Sequence, residues 1–296
     1  MSTASTIDVF PQLESDSFAG LATKILRFDL SEAIDEPYVA VVDLVVYDAD
    51  FDPLDLLGAD VQLLINRGPL VRRTSGVVRT VWEGEPGATA AVRARIEIVP
   101  AFALLSLTRT TRMFQEKTVP EILEDVLADR LFAYGREVKL ELTATYPRRE
   151  YCLQYQESDL AFAQRLMENE GISYSFVQDD VEVLVLRDAN ASYARVEAAT
   201  DPIELRPHGL LTEDNEVVQQ FERRHGHTTT AVVIRDFDWT TPGFLVEDEL
   251  GGVDAQGRTR ESYEHGLGRS VTLWDYTQAA LRYQQRDTPR QKQVRH

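Results

Sequence analysis

With one cysteine in 296 residues, Cys152, the chain has no internal disulfide and its fold rests on non-covalent packing. Cys152 lies in "REYCLQY", whose alternation reads as a half-buried strand, and no histidine stands near it in sequence to activate a thiolate. It is therefore read as a small core residue, and folding in a reducing cytoplasm fits. Long apolar runs are also missing. No stretch approaches the roughly 18 residues a membrane helix needs, and "MSTASTIDVF" has neither the basic start nor the apolar run of a Sec signal peptide. Basic residues are in deficit: 31 Lys and Arg against 49 Asp and Glu give a formal charge of −18. Such a surface repels phosphate backbones, so nucleic acid is not expected as a partner, and without a long apolar run no membrane-spanning segment is expected.

Catalytic signatures are absent as well. There is no GxSxG, no HExxH and no glycine-rich phosphate loop. The densest carboxylates are Glu157, Asp159, Glu168 and Glu170, candidates in principle for acid/base work on a glycoside. Two flank the start of a helical pattern and two its last turn, a spacing that does not converge them. His225 and His227 in "RRHGHTTT" would share one side of a strand, as a metal site needs, but no Cys, and no further His until His265, supplies an obvious third ligand. No catalytic, cofactor-binding or metal-binding residue is assigned.

By the usual domain-size prior this length holds roughly two domains. Strand-like segments come first: "LATKILRFDL", "YVAVVDLVVYD", "VQLLINRG", "SGVVRTVW" and "AVRARIEIVP", separated by Gly, Pro or Asp. Five or six such segments suggest a barrel or sandwich. Among them "DADFDPLDLLGAD" carries Asp48, Asp50, Asp52, Asp55 and Asp60 with no base. Near Leu104 the period changes from two to about 3.6.

In "TVPEILEDVLADRLFAYG", Thr118 with Glu121 forms a capping box, Pro120 sits in the first turn, and Ile122, Leu123, Val126, Leu127 and Leu131 make one stripe, predicting a helix over 118–132. Strands "EVKLELTA" and "REYCLQYQ" follow. A second helix over 158–170 is predicted from Ser158 or Asp159 as cap, Leu160, Ala163, Leu166 and Met167 on one face, and Gly171 as the stop. "ISYSFVQ" and "VEVLVLRD" read as a hairpin. Beyond Ala198 the chain is loop-rich and then strand-like in "VVQQFERR", "TTTAVVIRDFDW" and "RSVTLWDY", while "TPGFLVEDELGGVDAQG" reads as a connection outside the core. The fold expected is a mixed, β-rich α+β chain: a first β domain over 1–105, an inserted α/β domain over 106–197, and a second, incomplete β-rich domain over 198–296.

Three blocks in order, "TRMFQEKTVPEILEDVL", "REYCLQYQESDLAFAQRLMENEGISYSF" and "VVIRDFDWTTPG", resemble the hub-like N-terminal region of VgrG, the spike protein of type VI secretion, itself similar to phage baseplate hub and late-control D proteins. The resemblance spans most of 18–245 and fades past Trp239. It implies two barrel-like domains per chain and a structural, non-enzymatic hub. It further implies a homotrimer whose pseudo-sixfold ring caps a hexameric Hcp-like tube, with baseplate proteins and effectors or adaptors as further partners. Such a part is cytoplasmic during assembly and is then driven out of the cell. The family continues into an oligonucleotide-fold domain and a β-helix shaft, neither present here, so 1–296 reads as a hub fragment. Its tail from Arg282 carries five bases against Asp287, a local +4. A baseplate hub of a phage or extracellular injection particle is the alternative. A carbohydrate-binding or glycoside-hydrolysing protein is the alternative of another class. On the resemblance, the acids of 154–176 cap and solvate a scaffold element.

Overall fold

A computed structural model of the chain describes residues 9–67, 70–83, 91–178, 180–193, 229–237 and 245–265, with a few single positions between them. Strands β1 (Val9–Glu14), β2 (Thr23–Ala33), β3 (Glu36–Val46), β4 (Asp60–Arg67), β5 (Leu70–Glu83) and β6 (Val92–Val99) form one antiparallel sheet in the order β1-β4-β5-β6-β3-β2. The five strand-like segments of the sequence are β2 to β6. The sixth strand, β1, is an added finding. The edge strands β1 and β2 approach one another with Cα atoms within 8 Å, so the sheet curls toward closure as a barrel does.

Period-two patterning fills the curl. Ala40, Val42, Leu44 and Val46 of β3 point inward with Ala94, Ile96 and Ile98 of β6, against Val61, Leu63, Leu56 and Phe18. Gly76 of β5 is required by close approach: a Cβ there would stand 2.7 Å from the Val99 carbonyl oxygen.

The chain leaves β6 directly into a single helical turn, α1 (Ala101–Leu104), then β7 (Arg109–Lys117), α2 (Val119–Phe132), β8 (Glu137–Glu141), β9 (Arg149–Ser158), α3 (Asp159–Glu170), β10 (Ser173–Gln178) and β11 (Glu182–Arg187). Both predicted helices are present. Thr118 and Glu121 form the reciprocal capping box of α2. Ser158, not Asp159, caps α3 by accepting from the Ala161 N–H, and Gly171 ends it at φ 68°. The β7 strand between the period change and α2 did not stand out in the sequence.

Strands β10 and β11 pair as the expected hairpin, and β8 joins β11 in parallel. Strands β7 and β9 form a separate antiparallel ribbon. The two helices lie between them: Phe162 of α3 stacks on Phe114 of the ribbon at 5.7 Å, and α2 packs on β8. One continuous core joins α1, α2, α3 and these strands through Phe102, Ile122, Leu127, Phe162, Leu166 and Tyr174.

A third sheet has the order β13-β12-β14, from β12 (Ala231–Phe237), β13 (Leu245–Gly251) and β14 (Glu261–His265). Here the sequence reading needs correcting. "TPGFLVEDELGGVDAQG" contains strand β13, whose residues pair with all of β12; its acidic Glu247, Asp248 and Glu249 masked a strand that runs along a sheet edge. "RSVTLWDY", most of "VVQQFERR" and the basic tail lie outside the described residues.

Phe162 is fully buried in the helix layer. Phe162→Ala is expected to lower unfolding free energy by about 3–5 kcal/mol in urea titrations, against less than about 1 kcal/mol for Leu26→Ala on the exposed side of β2.

Candidate functional site

Helical spacing puts Asp159 and Glu170 at the two ends of the same α3 stripe as Phe162, Ala163, Leu166 and Met167. Both are buried, so each carboxylate needs partners from elsewhere. Asp159 accepts from Arg112 Nη2, from Gln154 Nε2 at 2.8 Å, from Arg130 Nε at 3.1 Å and from Thr108 Oγ1 at 3.2 Å. Glu170 accepts from Arg149 Nη2 at 2.8 Å. Glu157 pairs with Arg165 at 2.6 Å, and Glu168 is exposed. The expectation that these acids cap and solvate is therefore corrected for Asp159 and Glu170, which are buried partners of arginines. Both Asp159 oxygens are occupied by donors, an acceptor-only arrangement unsuited to giving a proton to a substrate.

A third buried carboxylate, Glu182 on β11, joins this unit to the curled sheet. It accepts from Arg136 Nε at 2.6 Å and from the Ala101 N–H at 3.0 Å, capping α1 where Pro100 offers no side-chain cap. Arg136 also donates to Asp60 Oδ1 at 2.6 Å and to the Tyr134 carbonyl oxygen at 2.6 Å. Burial alone would lower the Arg136 pKa, but the charge of Glu182 and the bond to Asp60 outweigh it and hold it above its usual value. Beside it the Tyr38 hydroxyl donates to the Ser75 carbonyl oxygen, and the Ser75 N–H donates to Gln178 Oε1 at 2.9 Å. Burial first and the Glu182 charge second push the Tyr38 pKa up, so its hydroxyl stays protonated.

Asp188 works differently. Burial raises its pKa, but the N–H groups of Ala144 and Thr143 and the hydroxyls of Tyr146 and Thr143 outweigh that, and its carboxyl titrates below the usual 3.8. It ties the segment after β8 to the end of β11.

Cys152 is buried on β9, with Arg149 Nη1 3.8 Å from its sulfur. His227 and His265 are exposed, and His225 lies outside the described residues. Among the described residues, no group of three or more His, Cys, Asp and Glu is arranged to hold a metal ion, and no helix is long and apolar enough to cross a membrane. What sequence reading missed are the arginines. Arg112 and Arg130 lie 47 and 29 residues from Asp159, beyond any local pattern, whereas the i, i+3, i+4 spacing of α3 is the signal that could have placed Asp159 and Glu170 inside.

Residues 31–295 match the phage tail baseplate hub (GPD) family, well past the point where the resemblance fades to the eye. The type VI secretion system spike protein VgrG5 of Pseudomonas aeruginosa is 32% identical over 246 residues, 82% of this chain and 30% of that protein. The spike protein VgrG4b of the same organism is 31% identical over 231 residues, 76% of this chain and 27% of that protein. Among solved structures, the E. coli c3393 protein, described as a type VI secretion component similar to the T4 tail proteins gp27 and gp5, aligns with a TM-score of 0.57. It is 26% identical and covers 62% of this chain and 51% of that one. The chain thus spans about a third or less of the curated spike proteins it matches.

Asp159→Asn keeps the shape but removes the charge that Arg112 and Arg130 answer. Because both arginines retain access to water, the expected loss is about 3 kcal/mol, at the low end for a broken buried pair, measured by chemical denaturation. For Asp188 the folded pKa is depressed, so its contribution is complete above the unfolded pKa and is lost as pH falls through the folded one. The stability gap between wild type and Asp188→Asn should be constant near neutral pH and close below about pH 4 in denaturation series across pH.

Proposed function

Since this chain belongs to the phage tail baseplate hub family, we propose that it is the ring-forming hub of a type VI secretion spike. The observation that carries this reading is the family match over 31–295, joined to about one-third identity with two type VI spike proteins. In this reading residues 1–105 are a first barrel-like hub domain, 106–197 an inserted α/β domain and 198–296 belong to a second β-rich hub domain. Three copies close a ring that caps a hexameric Hcp-like tube, with baseplate proteins and effectors or adaptors as further partners. Two barrels per chain give three chains an approximate sixfold, which matches the tube. The protein is assembled in the cytoplasm and delivered out of the cell by sheath contraction.

The role is mechanical, with no catalytic step. The dense carboxylates of 157–170 support this, because Glu157, Asp159 and Glu170 are engaged by arginines rather than facing one another across an open cleft. That arrangement also argues against a glycosidase, which needs two carboxyl groups about 5–10 Å apart around a substrate. A phage or extracellular injection particle would use the same fold in another machine, and the family's phage members keep that reading second.

The test is assembly. A chain extended through the shaft region is expected to be a stable trimer by light scattering and to bind purified Hcp-type hexamers end-on in negative-stain images. An extended chain that stays monomeric well above micromolar concentration would remove the hub reading.

A further inference from the structure

At the Glu182 junction one arginine, Arg136, serves two acids, Glu182 and Asp60. At Asp159 the ratio is reversed. Arg112 Nη2 donates to Oδ1 and Arg130 Nε to Oδ2, so two guanidiniums serve one carboxylate. An arginine stays charged at any pH a folded protein meets, and two cations with one anion leave this group positive.

The neighbouring carboxylates do not correct the imbalance. Glu157 is engaged by Arg165, and Asp125, farther back along α2, by Lys117. Asp129 is exposed and makes no ion pair among the described residues; one residue before Arg130 on a helix, its side chain points about 100° away. Glu116 and Glu150 stand at the other end of the ribbon, beside the Lys117 and Arg149 positions. Exposure is unequal in the same sense. Asp159 is wholly buried, whereas the Arg112 and Arg130 side chains are 30% and 47% exposed. Solvent at this notch between β7, the last turn of α2 and the first turn of α3 therefore meets guanidinium and not carboxylate.

The arginines are also fixed in advance. Arg112 is held by Asp159, by Nε donating to Gln154 Oε1 at 2.9 Å, and by the Phe114 ring, whose centroid is 5.9 Å from the guanidinium carbon. Gln154 is itself buried and donates to Asp159 and to the Glu157 carbonyl oxygen. Arg130 is held through Nε. Arg112 Nη1 and both Nη groups of Arg130 stand outside these bonds, and because one carboxylate bridges the two guanidiniums, they are close neighbours.

We propose that this notch is an oxyanion site, in which the outward N–H groups of Arg112 and Arg130 together bind a carboxylate or phosphate group. Planar guanidiniums match the oxygen spacing of either, so an acidic side chain of a partner protein and free phosphate share the required chemistry. Repulsion from the rest of a chain at −18 is screened beyond about 8 Å at physiological salt, and inside that range an arriving anion meets the two arginines. The site goes beyond the hub reading and does not depend on it.

The test uses the 296-residue chain and two probes, inorganic phosphate and the α-amide of N-acetylglutamate, each titrated calorimetrically against chloride at matched ionic strength. Phosphate is expected to bind saturably, one per chain, and to raise the Tm relative to chloride, a readout that needs no variant. Arg130→Gln leaves Arg112 on Asp159 and should weaken binding about 10-fold or more. Arg93→Gln, at an exposed arginine of β6 with no ion pair among the described residues, should leave binding unchanged. Circular dichroism melts check that both variants fold. Binding of both probes assigns the notch to oxyanions in general, phosphate alone to the free anion, and the glutamate amide alone to an acidic side chain. No saturable binding and no Tm gain with either probe overturns the proposal. Binding that survives Arg130→Gln, or that falls equally in Arg93→Gln, also overturns it, because the anion is then held elsewhere or by general charge.

Discussion

A carboxylate buried at Glu182 has to be answered by donors, and those donors come from segments far apart in the chain. One oxygen takes the N–H at the start of α1, where the curled sheet has just ended, and the other takes Arg136 at the entry to β8. Arg136 then reaches back to Asp60 at the start of β4. Removing Glu182 would leave a guanidinium buried beside an uncapped helical turn, a penalty of several kcal/mol by the usual cost of breaking a buried pair. The position of the six-stranded sheet relative to the α/β unit is thus set by directional bonds at the junction, and apolar packing fills in around them.

Asp159 plays the same part on the other side of the helix layer. It gathers Thr108 before β7, Arg112 on β7, Arg130 on α2 and Gln154 on β9 around the first turn of α3. Apolar burial supplies most of the driving force, yet it is non-directional and tolerates sliding of one layer over another. A buried carboxylate with four donors does not, because a small shift strands a charge. Layer order follows from the apolar stripes, and layer registry follows from these two acids.

How much of this was legible in the sequence depends on the range of the interaction. Strands β2 to β6, both long helices, the Thr118–Glu121 capping box and the Gly171 stop rest on spacings of two to four residues, and all are present. Strand β13 was missed because its run of three acids reads as a loop when no neighbouring strand is visible. Ser158 and Asp159 are equivalent cap candidates by residue type; only the i, i+3, i+4 relation to Phe162 and Ala163 separates them, and it places Asp159 inside. Its arginine partners carry no local signal at all. The family, by contrast, was legible from ordered blocks, since a fold of this kind is specified by many short patterns at once and not by one reactive constellation.

That difference bears on what the molecule is for. Enzyme sites concentrate strain, open carboxylates and perturbed titrations in one cleft. Among the described residues the buried charges are dispersed along the seams between layers and each is paired. The same dispersal leaves the outward faces free of internal duties. Tyr151, Leu153 and Tyr155 alternate with Cys152 and Gln154 along one strand, so the residues that lock the ribbon inward necessarily present an aromatic row outward.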